Sequence, residues 1–69
     1  MTVKRVEEIG ELVKKERKKA GLKQADCAAL CGVGTRFMSE LENGKSTLEI
    51  GKVLKVVKLL GFELKMEHK

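Results

Sequence analysis

The sequence predicts an all-α fold, a bundle of four main helices followed by a short C-terminal β-strand. Apolar residues recur at helical spacing in four segments, and after the last segment they alternate instead. A glycine follows each segment, namely Gly21, Gly32, Gly44 and Gly61. Because glycine adopts the left-handed conformation without strain, it commonly ends a helix. The chain of 69 residues is expected to form a single domain over residues 1–69.

Size and charge narrow the possible functions. A chain of this length buries only about 60% of its unfolded surface, so homodimerisation would be a simple reinforcement. The formal net charge is +5 and the isoelectric point is near 9.4, which suits a polyanionic partner. Fifteen Lys and Arg residues are mixed with ten acidic residues, however, so a merely soluble surface explains the charge as well.

Several classes of protein are not expected. No apolar run reaches the roughly 18 residues of a membrane span, and the apolar h-region expected of a signal peptide does not follow Lys4 and Arg5. Cys27 and Cys31 lie on one predicted helix, far from the single histidine, His68, so we expect buried reduced thiols with no metal and no cofactor. Without a plausible catalytic set, the chain is not expected to be an enzyme. A cytoplasmic location fits reduced cysteines.

The first helix is predicted from Thr2 or Val3 to Ala20. Its apolar stripe comprises Val6, Ile9, Leu12, Val13 and Ala20. The lysines on the opposite side are Lys14, Lys15, Lys18 and Lys19. They stand near the negative end of the helix macrodipole, where they either stabilise the helix or contact phosphate groups.

The next two helices, Gln24 to Cys31 and Thr35 to Glu42, are short and separated by a glycine turn. Ala28 lets the two helices approach closely, while Phe37, Met38 and Leu41 have the spacing of core residues. This arrangement over residues 24–42 is the helix-turn-helix unit in which the second helix enters the DNA major groove. The same geometry occurs in bundles that do not bind nucleic acid, so the spacing alone leaves both alternatives open.

Particular residues of this unit resemble a known family. Gln24-Ala-Asp, the segment from Ala28 to Gly32, and Ser39-Glu-Leu-Glu-Asn-Gly-Lys45 are similar to the Xre/Cro repressor-type helix-turn-helix. The resemblance covers Ile9 to about Leu60 and implies sequence-specific binding of double-stranded DNA. It also implies that Gln24 holds a backbone phosphate and that Arg17 forms an ion pair with Glu42. Two solvated charges are the alternative for Arg17 and Glu42.

The second helix of the motif is expected to present Gly34, Thr35, Arg36, Ser39 and Glu40 to DNA. Gly34 or Thr35 caps this helix. Arg36 is the residue expected to read a base, because a guanidinium bridges O6 and N7 of guanine, although a phosphate contact is the alternative. Glu40 either accepts a hydrogen bond from cytosine or points away from DNA. Lys45 contacts the DNA backbone or is an ordinary exposed lysine.

A last helix is predicted from Leu48 to Leu60, capped by Thr47. Its apolar residues cover more than one face, which suggests packing on a second copy of the chain. Alternation over residues 62–66 predicts a strand that pairs antiparallel across the two-fold axis of a homodimer; a frayed tail is the alternative. The residues expected at the dimer interface are Val56, Leu59, Phe62, Leu64 and Met66.

The ending after the fourth helix resembles the HipB-like antitoxins. That resemblance implies a repressor that binds a near-palindromic operator, represses its own operon and pairs with a HipA-like serine/threonine kinase toxin. Two alternatives remain: a stand-alone phage-type or restriction-modification controller, and a protein interaction module without useful DNA affinity.

Overall fold

The computed structural model describes residues 3–64. It contains four helices in that range: α1 (Val6–Lys19), α2 (Gln24–Cys31), α3 (Thr35–Glu42) and α4 (Ile50–Leu59). The predicted all-helical bundle is therefore confirmed for the part of the chain described. The bounds of α2 and α3 agree with the prediction, because their ends are set by local turn residues.

All four helices end in the same way. The glycine after each helix has a positive φ, between 69° at Gly32 and 90° at Gly61. The residue after each glycine then donates its backbone N–H to a carbonyl in the last turn of the helix. These hydrogen bonds join Leu22 to Arg17, Val33 to Ala28, Lys45 to Glu40 and Phe62 to Val57, at 2.9 to 3.1 Å. Such closures satisfy carbonyl groups that would otherwise lack a partner at a helix end.

The predicted helix starts of α1 and α4 are wrong. Residues 3 and 4 are not helical, and Arg5 is the N-cap of α1, so this helix begins later than Thr2 or Val3. Helix α4 begins at Ile50 after the N-cap Glu49, and Thr47 does not cap it. Residues 46–48 form a turn and a bend instead, and Leu48 packs against the core. Leu48 is therefore a partly buried residue that precedes α4 and is not part of it.

The structure does not support the predicted C-terminal strand. Residues 62–64 form no strand, and the rest of the predicted strand, Met66 included, lies outside the described residues. Phe62 is half-buried against the core and its N–H group is used to close α4. A strand needs a partner for its backbone groups, and residues 3–64 of a single chain offer none.

The core lies where α2 and α3 pack on α1 and α4. Its buried apolar residues are Val13, Cys27, Ala28, Cys31, Met38, Leu41, Val53, Val56 and Val57. Gly10 is buried at the crossing of α1 and α3, where a Cβ atom would collide with the carbonyl oxygen of Leu41. Only glycine permits so close an approach of the two helices.

The two cysteines are both buried in α2 and not joined in a disulfide. The prediction of small buried thiols is confirmed. Burial raises the pKa of the Cys31 thiol to about 11, with further contributions from neighbouring Cys27. The thiol form therefore predominates at neutral pH.

Candidate nucleic-acid interface

Helix α3 has a buried side and an exposed side, and the buried side fixes its orientation. Met38 and Leu41 are completely buried against α1 and α2. Thr35 and Arg36 are exposed on the other side, while Ser39 and Glu40 are partly exposed. The apolar anchors thus leave a polar surface that faces away from the core.

Helix α3 begins at the position predicted from the sequence. Gly34 is the N-cap, with an extended backbone at φ −75° and ψ 155° and no side-chain cap. The Met38 N–H donates to the Gly34 carbonyl at 3.1 Å, which begins the helical ladder. The first backbone N–H groups of α3 therefore stand beside Thr35 and Arg36, where an anion such as phosphate is favoured.

A buried ion pair joins the end of α3 to α1. Arg17 Nε donates to Glu42 Oε2 at 2.6 Å and Arg17 Nη2 donates to Glu42 Oε1 at 3.0 Å. The side chains of Arg17 and Glu42 are only 9% and 2% exposed. The remaining terminal nitrogen of Arg17, Nη1, donates to the Leu22 carbonyl at 2.8 Å. The pair expected from the family resemblance is present, and it also fixes the loop that leads into α2.

Gln24 joins this network. Its side-chain Nε2 donates to Glu42 Oε1 at 3.1 Å, so the start of α2 is tied to the end of α3. No local pattern in the sequence predicts this contact, because the two residues lie 18 positions apart. An amide Nε2 carries two hydrogens, so this contact is compatible with the phosphate contact predicted for Gln24, which stays a prediction.

The network keeps both of its charged groups ionised. Burial by itself raises the pKa of the Glu42 carboxyl, but hydrogen bonds from Arg17 and Gln24 outweigh that effect, and the pKa is lowered overall. The pKa of Arg17 is raised, chiefly by its hydrogen bond to Glu42. At neutral pH the carboxylate and guanidinium therefore both carry charge in a largely buried position.

A second ion-pair cluster lies on the exposed side of α3. Glu40 Oε2 accepts a hydrogen bond from Lys45 Nζ at 2.8 Å and stands 3.8 Å from Arg36 Nε. The Arg36 side chain is 90% exposed. Asn43, which was not among the predicted site residues, is exposed one helical turn after Glu40. Asn43 lies three residues after Glu40, and on a helix this spacing predicts that the two side chains are neighbours on one surface.

The predicted site residues thus divide between two places. Thr35, Arg36, Ser39 and Glu40 share the uncovered side of α3, and Lys45 reaches them through Glu40. Gln24 belongs instead to the buried network around Glu42. The exposed set offers cationic donors, a hydroxyl pair and one carboxylate, which are the groups that contact phosphates and base edges.

The predicted dimer interface needs one correction. Val56 is completely buried in the core of its own chain, so its side chain is not available to a partner. Leu59 and Leu64 are 55% and 43% exposed, whereas Met66 lies outside the described residues. An open groove of about 360 Å³ lies at the end of α4, lined by Leu54, Val57, Lys58, Phe62, Glu63 and Leu64.

Residues 3–64 contain no group of three or more His, Cys, Asp or Glu side chains arranged to hold a metal ion. Within that same range, no helix has the length and apolar character required to cross a membrane.

Comparison with known proteins identifies relatives of this chain. The helix-turn-helix family model matches residues 13–65. The uncharacterized HTH-type transcriptional regulator y4mF of Sinorhizobium fredii is 48% identical over 59 residues, which span 86% of this chain and 78% of that protein. A chain of the solved HipA-HipB-O2-O3 complex aligns with a TM-score of 0.84 at 16% identity, covering 99% of this chain and 96% of that chain. At this identity the structural likeness concerns the fold.

Proposed function

This chain belongs to the helix-turn-helix family of transcriptional regulators, and from that premise we propose that it is a repressor that binds a near-palindromic operator as a homodimer. In this proposal α3 enters the major groove of each half-site. Arg36 reads a base edge, and Thr35, Ser39 and Lys45 contact neighbouring bases or phosphates. The resemblance to Xre/Cro-type regulators and to the HipB fold is confirmed by the family match and the aligned structure.

The exposed side of α3 is the observation that carries this proposal. Met38 and Leu41 hold the helix firmly, so the opposite side is presented at a fixed angle. The Arg36 side chain is 90% exposed, so packing within the chain does not explain an arginine at this position. A rigid helix with an exposed arginine near its N-terminus is the arrangement that reads DNA in helix-turn-helix proteins.

A second copy of the chain is proposed to cover the groove at the end of α4. Leu54, Phe62 and Leu64 give the groove an apolar floor, and Lys58 and Glu63 stand beside them. Lys58 and Glu63 carry opposite charges, so a two-fold contact that brings the lysine of one chain to the glutamate of the other would be self-complementary. Two recognition helices then meet successive major grooves, about 34 Å apart.

The test is a fluorescence-anisotropy titration against duplex from the chain's own upstream region, a duplex with one half-site scrambled, and a fully scrambled duplex. We expect the upstream duplex to bind at least about 10³-fold tighter than the fully scrambled duplex, with affinity falling steeply as salt is raised. Replacing one half-site should remove most of this preference. Equal, weak binding to all three duplexes would refute the repressor.

Arg36→Ala sharpens this test. We expect loss of discrimination at one base position by about 1 to 3 kcal/mol, because the guanidinium no longer reaches a guanine edge. Arg5→Ala is the matched control, since Arg5 is also an exposed arginine and lies before α1. If Arg36→Ala weakens binding to every sequence equally, Arg36 contacts a phosphate and reads no base.

A role as the antitoxin of a HipBA-like operon is the finer proposal. The aligned HipA-HipB-O2-O3 complex supports it, because that alignment covers almost the whole of both chains. The partner would be a HipA-like serine/threonine kinase toxin encoded beside this chain. Co-expression of a neighbouring kinase-like reading frame should give a complex that copurifies in stoichiometric amounts. Absence of such a reading frame would favour the stand-alone regulator.

A further inference from the structure

Glu40 is the one carboxylate on the exposed side of α3 among the residues that the structure describes. An acidic group is unexpected on a surface that faces phosphates. Its oxygen Oε2 accepts from Lys45 Nζ at 2.8 Å and stands 3.8 Å from Arg36 Nε. In addition, the backbone N–H of Lys45 donates to the Glu40 carbonyl at 3.0 Å, which fixes the start of the following loop beside Glu40. The carboxylate therefore has two cations of this surface as neighbours.

The atoms in contact matter for Arg36. The Glu40 carboxylate stands 3.8 Å from the guanidinium at Nε, and the Arg36 side chain is 90% exposed. The terminal nitrogens Nη1 and Nη2 form the fork that donates to O6 and N7 of a guanine. An ion pair at Nε leaves both terminal nitrogens free to donate to the base, and a carboxylate that favours this side-chain position reduces the conformational freedom lost when Arg36 meets the base.

The effect on phosphates is the opposite. The hydrogen bond from Lys45 lowers the pKa of the Glu40 carboxyl, so the group carries its negative charge at neutral pH. Phosphates repel that charge. To contact a phosphate, Lys45 and Arg36 must also leave a carboxylate that already neutralises part of their charge. Non-specific binding consists almost wholly of phosphate contacts, so Glu40 weakens non-specific affinity the most.

We propose that Glu40 is a specificity-determining residue of the DNA-reading surface. Its carboxylate orients Arg36 toward a base edge and weakens phosphate contact by Arg36 and Lys45, so that it lowers affinity for DNA of arbitrary sequence more than affinity for the operator. This inference rests on the proposed function, since it assumes that α3 enters the major groove. Glu40 acts as a positioning residue in it, and the contact with the base is made by Arg36.

The experiment compares wild type, Glu40→Gln and Glu49→Gln by anisotropy against the upstream and fully scrambled duplexes at two salt concentrations. Glu49→Gln is the matched control, because Glu49 is an exposed acid that pairs with a lysine, Lys52, at 3.7 Å on α4. Both variants raise the net charge by the same amount. We expect Glu40→Gln to bind scrambled duplex about 5-fold tighter, with a salt slope steeper by about one phosphate contact.

The ratio of the two affinities decides the outcome. We expect it to fall about 5-fold in Glu40→Gln, because operator affinity stays nearly unchanged, and to stay within about 2-fold of wild type in Glu49→Gln. Arg36→Ala should also cost less discrimination in the Glu40→Gln background than in wild type, because the orienting contact is already lost. An unchanged ratio in Glu40→Gln, or equal changes in both variants, would overturn the inference while the repressor stands. A wild type without preference for the upstream duplex would refute the proposed function instead.

Discussion

Glu40 and Glu42 stand two residues apart on α3, and both pair with an arginine, yet they face opposite environments. The Glu42 side chain is 2% exposed and receives hydrogen bonds from Arg17 and Gln24. The Glu40 side chain is 28% exposed, and its arginine, Arg36, is 90% exposed. The same chemistry thus holds the fold together on one side of the helix and stands ready for a ligand on the other.

Burial explains this difference. A buried charge cannot be hydrated, so each partner in the inner pair depends on the other. An exposed pair competes with water and salt, and it contributes between about 0 and 1 kcal/mol to folding. The inner pair is therefore a condition of the fold, whereas under the proposed function the outer pair would be exchanged for contacts with DNA at little cost in stability.

The largest expected effect comes from replacing the two arginines in parallel. Arg17→Ala leaves the buried Glu42 carboxylate without its principal partner, and we expect a loss of about 3 to 5 kcal/mol in the free energy of unfolding. Arg36→Ala removes the exposed arginine that stands beside Glu40 on α3. We expect the free energy of unfolding to change by less than about 0.5 kcal/mol. Urea denaturation followed by circular dichroism measures both. Similar losses in the two variants would show that burial does not separate the pairs.

Gln24→Ala tests the smaller contact in the inner network. Removal of one hydrogen bond to the Glu42 carboxylate should cost about 1.5 kcal/mol in unfolding free energy, less than Arg17→Ala because the arginine pair remains. The same variant tests the phosphate contact predicted for Gln24. If that contact exists, the operator affinity falls with a salt slope reduced by about one. Loss of stability with unchanged DNA binding would limit Gln24 to a structural role.

The smallest expected effect is on the way the free energy of unfolding falls at acidic pH. The pKa of Glu42 is lowered in the folded chain, so its contribution is complete above the unfolded carboxyl pKa of about 4.3 and is lost as the pH falls toward the lower folded value. Glu42→Gln should reduce the slope of unfolding free energy against pH there, by at most about 1.4 kcal/mol per pH unit. Glu40→Gln should reduce it less, because water screens the exposed pair. Thermal unfolding between pH 2 and pH 6 measures these slopes, and equal slopes in the two variants would contradict the expectation.

Local residues made much of the fold predictable. The C-terminal ends of α2 and α3 are marked by Gly32 and Gly44, which take positive φ just after each helix. Met38 and Leu41 were expected in the core from their helical spacing and are completely buried. The pair between Arg17 and Glu42 was expected only through the family resemblance, since 25 residues separate them and no local pattern predicts such a contact.

Features that depend on the packing of distant segments were predicted less well. Thr47 has the chemistry of an N-cap, but Leu48 packs against the core from a bend and α4 starts after it, with Glu49 as the N-cap. Val56 was assigned to the dimer interface because α4 is apolar on several sides, and only the packed bundle reveals which side is inside. The link from Gln24 to Glu42 was missed for the same reason.

The buried thiols of α2 can report local opening of the fold, because they react only when α2 separates from the core. Cys27 and Cys31 are each 1% exposed, and the pKa of Cys31 is raised to about 11. An alkylating reagent needs an accessible thiolate, so it reacts with molecules in which α2 has separated from the core. When opening and closing are faster than alkylation, the labelling rate follows the population of the open form. A bound duplex that holds α2 and α3 closed would slow the labelling in proportion to its occupancy, so thiol chemistry reads DNA binding without a dye.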